Sequence, residues 1–265
     1  MGKALEIISG QATAPSTTLT NLTMNGGNSL VVRNNQNNTP IFLLSIWGKH
    51  QTAGNIVVRS PQLHDNREGI YLYDPAALSL PLTPKKMHQE LESQDTLVAQ
   101  ITGSATAGDI EIASMLIYYE DLIGINANLM NADDVLDQIE DIMAVENSLA
   151  TDTAGGWSGE EAITAEFDNW KANRKYALLG YNVSAICGAV RWVGSDVGNL
   201  GVGGPGNAEH KEVTSNWFIN LSKDNNLPLV PVFSSPNKDA IFVSAHQDEN
   251  GTDVILTSIF GLLME

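Results

Sequence analysis

The chain has 265 residues, 43% of them hydrophobic, a single cysteine and a formal net charge of −17. That is enough chain for one large or two modest domains with cores of their own, and too apolar a chain for a disordered one. Lone Cys187 excludes an internal disulfide and a cysteine-based zinc site, and 14 basic against 31 acidic residues argue against direct nucleic-acid binding, which needs clustered Lys and Arg to displace counterions.

The N-terminus, Met1-Gly2-Lys3-Ala4-Leu5-Glu6, has no long apolar segment of the signal-peptide kind, so synthesis in a cytoplasm is expected. Residues 1–122 read as all-β. Short apolar or β-branched runs at 4–9, 17–23, 30–33, 41–47, 55–59, 70–73, 96–101 and 110–119 alternate with Asn, Gly, Ser, Thr and Pro clusters. Eight short strands is the count of a jelly roll.

Residues 123–173 read differently. Between Asn131 and Trp170 stand eleven acidic residues and no Lys or Arg. Asn131 is placed to cap a helix whose stripe is Val135, Ile139, Ile142 and Leu149, with Leu136 and Met143 beside it. Ser158-Gly159-Glu160-Glu161 has the form of a capping box opening a second helix that carries Ile163, Phe167 and Trp170. The expectation is an acidic helical connection. Residues 174–265 return to β, with candidate strands at 176–185, 189–193, 214–221, 229–233, 240–245 and 254–263.

The two β regions echo each other. Leu80-Pro81-Leu82-Thr83-Pro84 recurs as Leu227-Pro228-Leu229-Val230-Pro231, and each copy is followed, after a Gly-containing turn, by a long apolar strand. Leu43-Leu44 corresponds to Leu178-Leu179. Arg59, Gly69 and Ile70 correspond to Arg191, Gly201 and Val202 at a spacing of 132, and Asp109, Ile110, Ile112 and Ser114 to Asp253, Val254, Leu256 and Ser258 at 144. The growth in spacing implies a longer loop in the second copy, at 203–213. Repetition on this scale sets architecture before any local motif does.

Motifs for chemistry are sparse. Gly201-Val202-Gly203-Gly204-Pro205-Gly206 matches the dinucleotide fingerprint in letters, but no long helix follows it, and a flexible loop is expected. His50, His64, His88, His210 and His246 show no metal-ligand spacing and read as loop or surface residues. No Gly-x-Ser-x-Gly elbow is present. Cys187, in an apolar run, reads as a buried inert thiol. Trp170 and Trp217 read as packing residues, and Trp157, after two glycines, as the best candidate for an exposed aromatic. No catalytic, cofactor-binding or metal-binding residue is predicted, no cofactor is implied, and the chain is not expected to be an enzyme.

Two β-barrel halves without a catalytic cluster resemble the double jelly-roll major capsid proteins of non-tailed viruses. The residues closest to a signature are the repeated Leu-Pro-Leu-x-Pro motif, the segment Arg59-Ser60-Pro61-Gln62-Leu63-His64-Asp65-Asn66 and the run Tyr176-Ala177-Leu178-Leu179-Gly180-Tyr181. The resemblance implies an all-β fold of two tandem jelly rolls and a coat subunit assembling as a pseudo-hexagonal homotrimer in an icosahedral shell. It also implies location in the virion, and as partners further copies, minor capsid proteins or a membrane, with no sequence-specific nucleic-acid contact. Two other classes stay open: a virion decoration, receptor-binding or lectin-like β-sandwich, carried by Trp157 and the polar loops, and an enzyme on a β-sandwich or two-cupin scaffold, the cupin form needing a bound metal.

Overall fold

The computed structural model describes residues 2–24, 30–36, 39–61, 63, 69–74, 85–150, 155–166, 168–247 and 253–264. Leu80–Pro84 of the repeated motif and His64 lie outside these residues.

In the first half the strands are β1 (Ala4–Thr13), β2 (Thr20–Asn21), β3 (Thr23–Met24), β4 (Leu30–Val31), β5 (Ile41–Lys49), β6 (Gly54–Arg59), β7 (Ile70–Asp74), β8 (Lys85–Leu91), β9 (Thr96–Ile101) and β10 (Ile110–Tyr119). The second half contains β11 (Leu129–Met130), α1 (Ala132–Leu136), β12 (Ile139–Leu149), β13 (Gly156–Trp157), β14 (Glu161–Ala162), β15 (Lys175–Val183), β16 (Cys187–Val193) and β17 (Val202–Gly206). It continues with α2 (Lys211–Thr214), α3 (Trp217–Asn225), β18 (Val230–Ser234), β19 (Phe242–Gln247) and β20 (Val254–Leu263).

These strands form four antiparallel sheets, numbered here as they stack. Sheet I is β2-β9-β6-β7, with β4 also on β9; sheet II is β3-β1-β10-β5-β8. Sheet III is β13-β19-β16-β17, with β14 also on β19; sheet IV is β11-β18-β15-β20-β12. The fold is all-β at this level. The two halves repeat one strand order: β1-β10-β5-β8 matches β12-β20-β15-β18, and β2-β9-β6-β7 matches β13-β19-β16-β17.

The sequence echoes fall on matching strands. Leu44 and Leu179 are the residues left over where the β5–β10 and β15–β20 ladders shift register, so both halves carry a β-bulge at the same place. Gly69 lies over the Arg59 stem and Gly201 over the Arg191 stem; an added Cβ would meet Arg59 Cγ at 2.7 Å and Arg191 Cδ at 3.1 Å. The spacing of 144 assigns the right strands but the wrong register. Ile112 and Ser114 point out of the first sandwich, toward Gly188 and alongside Ser9, whereas Ser258 points into the second core, to Trp192. A one-residue offset exchanges the two faces of a strand.

The acidic helical connection at 123–173 is not what forms. Helix α1 stops after five residues, and Ile139–Leu149 is an eleven-residue strand paired along β20. Val145, Asn147 and Leu149 are buried while Ala144, Glu146 and Ser148 are exposed, which is the period of a strand. Ile142, assigned above to the helical stripe, is 63% exposed. The capping box also fails: Ser158 joins β13 to β14, exchanging bonds with β19 through Ser158 N to Ala245 O (2.7 Å) and Ala245 N to Ser158 Oγ (3.0 Å).

Two further expectations are overturned. Val202–Gly206 is strand β17, and the expected flexible loop does not form. All five residues of β17 are buried, and Gly204 and Gly206 lie so close to Tyr181 Oη and Cys187 Sγ that a Cβ would come within 2.3 and 2.0 Å. The glycines serve close approach, and Pro205 is tolerated because β17 is an edge strand. Residues 214–221 are helical, in α2 and α3. Strand β18 pairs with β15 only over Lys175–Ala177, and α2 and α3 pack along β15, with Phe218 inserted beside Tyr181 and Trp192.

Candidate assembly interface

Sheet II is covered on both faces. Ala4, Ile8, Met115 and Ile117 point into the first core with Ile56, Val58, Leu97 and Ala99 of sheet I. Their neighbours Leu5, Ile7, Leu44, Trp47, Leu116 and Tyr118 belong to the other core, with Ala189 and Val202 of sheet III. This explains why β1 and β10 are buried almost throughout, Glu6 and Glu111 included, without the alternation of half-exposed strands.

The seam between sheets II and III is specific as well as apolar. The Ile7 amide donates to Gly201 O at 2.7 Å, and Trp47 Nε1 donates to Gly188 O at 2.8 Å. Trp47 meets Trp217 edge to face at 6.2 Å. At the other end His246 Nε2 bonds Gln11 Oε1 at 3.0 Å. The His246 ring is 1% exposed and lies 5.3 Å from Trp157, and the Arg191 guanidinium sits 4.3 Å above the Trp157 ring. Burial, then the nearby Arg191 charge, pushes the pKa of His246 down to about 3.

His50, at the end of β5, is fully buried and its Nδ1 lies 3.6 Å from Glu111 Oε2. The buried Glu111 carboxylate accepts from the amides of Gln51 (2.9 Å) and Ser104 (2.8 Å). Gly54 makes room for the imidazole, since a Cβ there would stand 2.4 Å from His50 Nδ1. Burial lowers the His50 pKa to about 4, against a smaller pull from the Thr102 backbone.

The sequence-stated candidates therefore distribute unevenly. His50 and His246 are core residues and not surface ones, while His210 is partly exposed beside Glu212. Cys187 is buried. Trp170 packs on Tyr176 and Phe260. Trp157 is half-buried, with one face under Arg191, so it is not the open aromatic platform expected of it. Among the described residues no three His, Cys, Asp or Glu side chains are grouped to hold a metal. Among the described residues no helix is long and apolar enough to cross a membrane.

What sequence reasoning missed is which large apolar side chains stand exposed, Ile123 (49%) after β10 among them. Val31 (55%) and Tyr73 (64%) lie on strands of sheet I; Ile142 (63%) and Ile255 (40%) lie on sheet IV. Leu136 and Met264 flank the start of β12, where the Met264 amide bonds Gln138 O. Sheets I and IV are the outer sheets of the stack, and on the outward side of sheet I Val57, between the core residues Ile56 and Val58, is itself buried. The available signal was the helical stripe itself: Ile142 is apolar yet out of phase with Val145 and Leu149.

No family model matches the sequence, and no curated protein matches it. A solved structure described as the crystal structure of PBSX exported protein XepA aligns over 97% of this chain and 86% of its own. It does so at 12% identity and a TM-score of 0.26, a likeness too shallow to carry any argument about this chain.

Proposed function

We propose that the chain is a double jelly-roll major capsid protein, a non-catalytic coat subunit that assembles as a homotrimer of pseudo-hexagonal outline and resides in the virion. The observation that carries this reading is the repeated strand order of the two halves joined to the way they stack. Eight principal strands in two four-stranded arrays, twice over, is the inventory of two jelly rolls. The II–III seam is heterologous: one face of the first unit meets a different face of the second. Heterologous contacts between like units propagate, and they close into a ring when the rotation divides a full turn. Six units about one axis, at roughly 60° each, make three chains.

The acidic balance suits contact with minor capsid proteins or a membrane surface better than contact with bare nucleic acid. The lectin-like alternative loses its best support with the Trp157 ring face occupied. Native mass measurement with negative-stain imaging tests the proposal. The expected result is a trimer of three 28.5 kDa chains with a six-lobed outline; a strict monomer at high concentration sinks it.

A further inference from the structure

We propose that the edge of β12 is a strand-addition site for a cationic partner protein: an extended segment carrying lysine or arginine among apolar residues pairs along it. This site belongs to the second unit alone and stands independently of the coat reading.

The backbone makes the edge available. β12 is an end strand of sheet IV, paired on one side only, to β20. Ile255 turns its backbone toward β15: its carbonyl accepts from the Ser184 amide and its amide donates to Ser184 Oγ, both at 2.9 Å. Successive residues of an inner antiparallel strand bond to alternate neighbours, so Thr257, Ile259 and Gly261 face β15 as well. Their partners Glu146, Ala144 and Ile142, with Ser148 opposite Ile255, therefore aim N–H and C=O away from the sheet. Of these four amides only that of Ile142 finds a partner among the described residues, the Asp141 carboxylate at 2.9 Å. Eleven residues is long for an uncovered edge, which natural sheets keep short or shielded.

The first unit shows the same edge filled. The ladders shift at matching places, Leu116/Ile117 in β10 and Ile259/Phe260 in β20. Ile7, opposite Leu116, is thus equivalent to Ala144, opposite Ile259, and Gly10 and Gln11 to Asn147 and Ser148. On β1 the Ile7 amide donates to Gly201 O, and the extended segment β3 pairs antiparallel with Gly10 and Gln11. An edge of this construction already accepts an added strand within the chain.

Charge selects the occupant. From Ile142 to Glu166 there are five acidic residues and no Lys or Arg. Asn147 Nδ2 donates to Ala162 O at 3.0 Å, which brings β14 and its Glu161 alongside β12. Burial and the charge of Glu166 hold the Glu161 carboxyl above its usual range. Arg191 pairs with Glu160 and Arg174 with Glu140, but Glu146, Glu161 and Glu166 make no ion pair among the described residues. These carboxylates repel a second copy of the same edge and attract cations. At the other end a groove of about 380 Å³ opens beside Asp141–Ala144, lined by Met143, Tyr176 and Leu262, with Lys171 on its wall. Apolar side chains of the added strand fit there, and cations fit toward Glu146 and Glu161.

The test uses the full chain and a fluorescent peptide of four lysine–valine repeats at roughly 0.15 M salt, where distant exposed charges are screened. Anisotropy should show saturable binding of one peptide per chain. A peptide of four lysine–proline repeats has the same charge but cannot form a ladder, and should bind about tenfold more weakly or worse. Ala144→Pro removes an outward amide and no bond to β20, so it should keep the urea midpoint and weaken lysine–valine binding by about tenfold or more. Glu146→Lys, an exposed change, should weaken it by about threefold or more, and decides the matter if Ala144→Pro does not fold. Equal binding of the two peptides, or unchanged binding to the folded variants, reduces the effect to net charge and overturns the proposal. So does a lysine–valine peptide that does not bind. If Ala144→Pro instead abolishes self-assembly of the protein, the edge belongs to a second copy and the cationic partner is overturned.

Discussion

His50 and His246 titrate against the fold. Each is buried and neutral, His50 beside a carboxylate it does not reach for a hydrogen bond, His246 beside a guanidinium, with Nδ1 lacking a partner among the described residues. Their pKa values are lowered from 6.5 to about 4 and about 3. Between the unfolded and folded values the unfolded chain binds more protons than the native one, so stability is complete above about pH 6.5 and declines as pH falls below it. At pH 5 each histidine accounts for about 2 kcal/mol of that loss. Urea midpoints should therefore drop between pH 6.5 and 5, before most carboxylates titrate. His246→Gln, which retains an amide partner for Gln11, should remove its share of the drop. A wild-type midpoint that is flat over this window would contradict the burial of both rings. Neither histidine betrayed its burial in sequence, because a decisive neighbour of each is distant in the chain: Glu111 for His50, Gln11 of the other unit for His246.

At the level of elements, periodicity identified the strands with one well-defined job and misread those with an unusual one. The long central strands β1, β5, β10, β15 and β20 stand close to their expected places because apolar runs bounded by turn residues have few alternatives. The segment 139–149 satisfied two periods at once. Its Ile139, Ile142 and Leu149 suit a helix, and its Val145, Asn147 and Leu149 suit a strand. Pairing along β20 decided the matter, and that pairing partner lies about a hundred residues away. Glycine in β17 was read as freedom when it serves proximity, and Trp217-Phe218-Ile219, apolar enough for a strand, forms a helix because β18 leaves that stretch of β15 unpaired. The strand assignment makes a direct prediction. Val145→Ala should cost about 2 kcal/mol, as a buried truncation, and Ile142→Ala less than about 0.5 kcal/mol, as an exposed one. A helical 131–149 reverses that order, so equilibrium unfolding of the two variants discriminates between them.

For the whole molecule, the decisive feature is that one sheet serves two cores. A pair of sandwiches joined only by a linker would unfold separately, each with its own midpoint, because inter-domain contacts are ordinarily modest and polar. Here Leu5, Ile7, Leu44, Trp47, Leu116 and Tyr118 of the first unit lie in the core of the second, and all are at most 6% exposed. Losing the second unit would expose all six at once. At about 1.5–3 kcal/mol for each large apolar side chain brought into water, the cost exceeds the whole net stability of a typical domain, about 5–15 kcal/mol, or equals its upper part. The first unit therefore has no stable existence apart from its neighbour, and the chain should melt in a single transition with calorimetric and van't Hoff enthalpies in agreement. Trp47→Ala, which removes both the Gly188 bond and the contact with Trp217, should lower that one transition by an amount equivalent to about 3–5 kcal/mol and should not split it. Two resolved transitions in the wild type would mean that the seam is a docking contact between independent domains. A single one means that the two units are built on a shared layer.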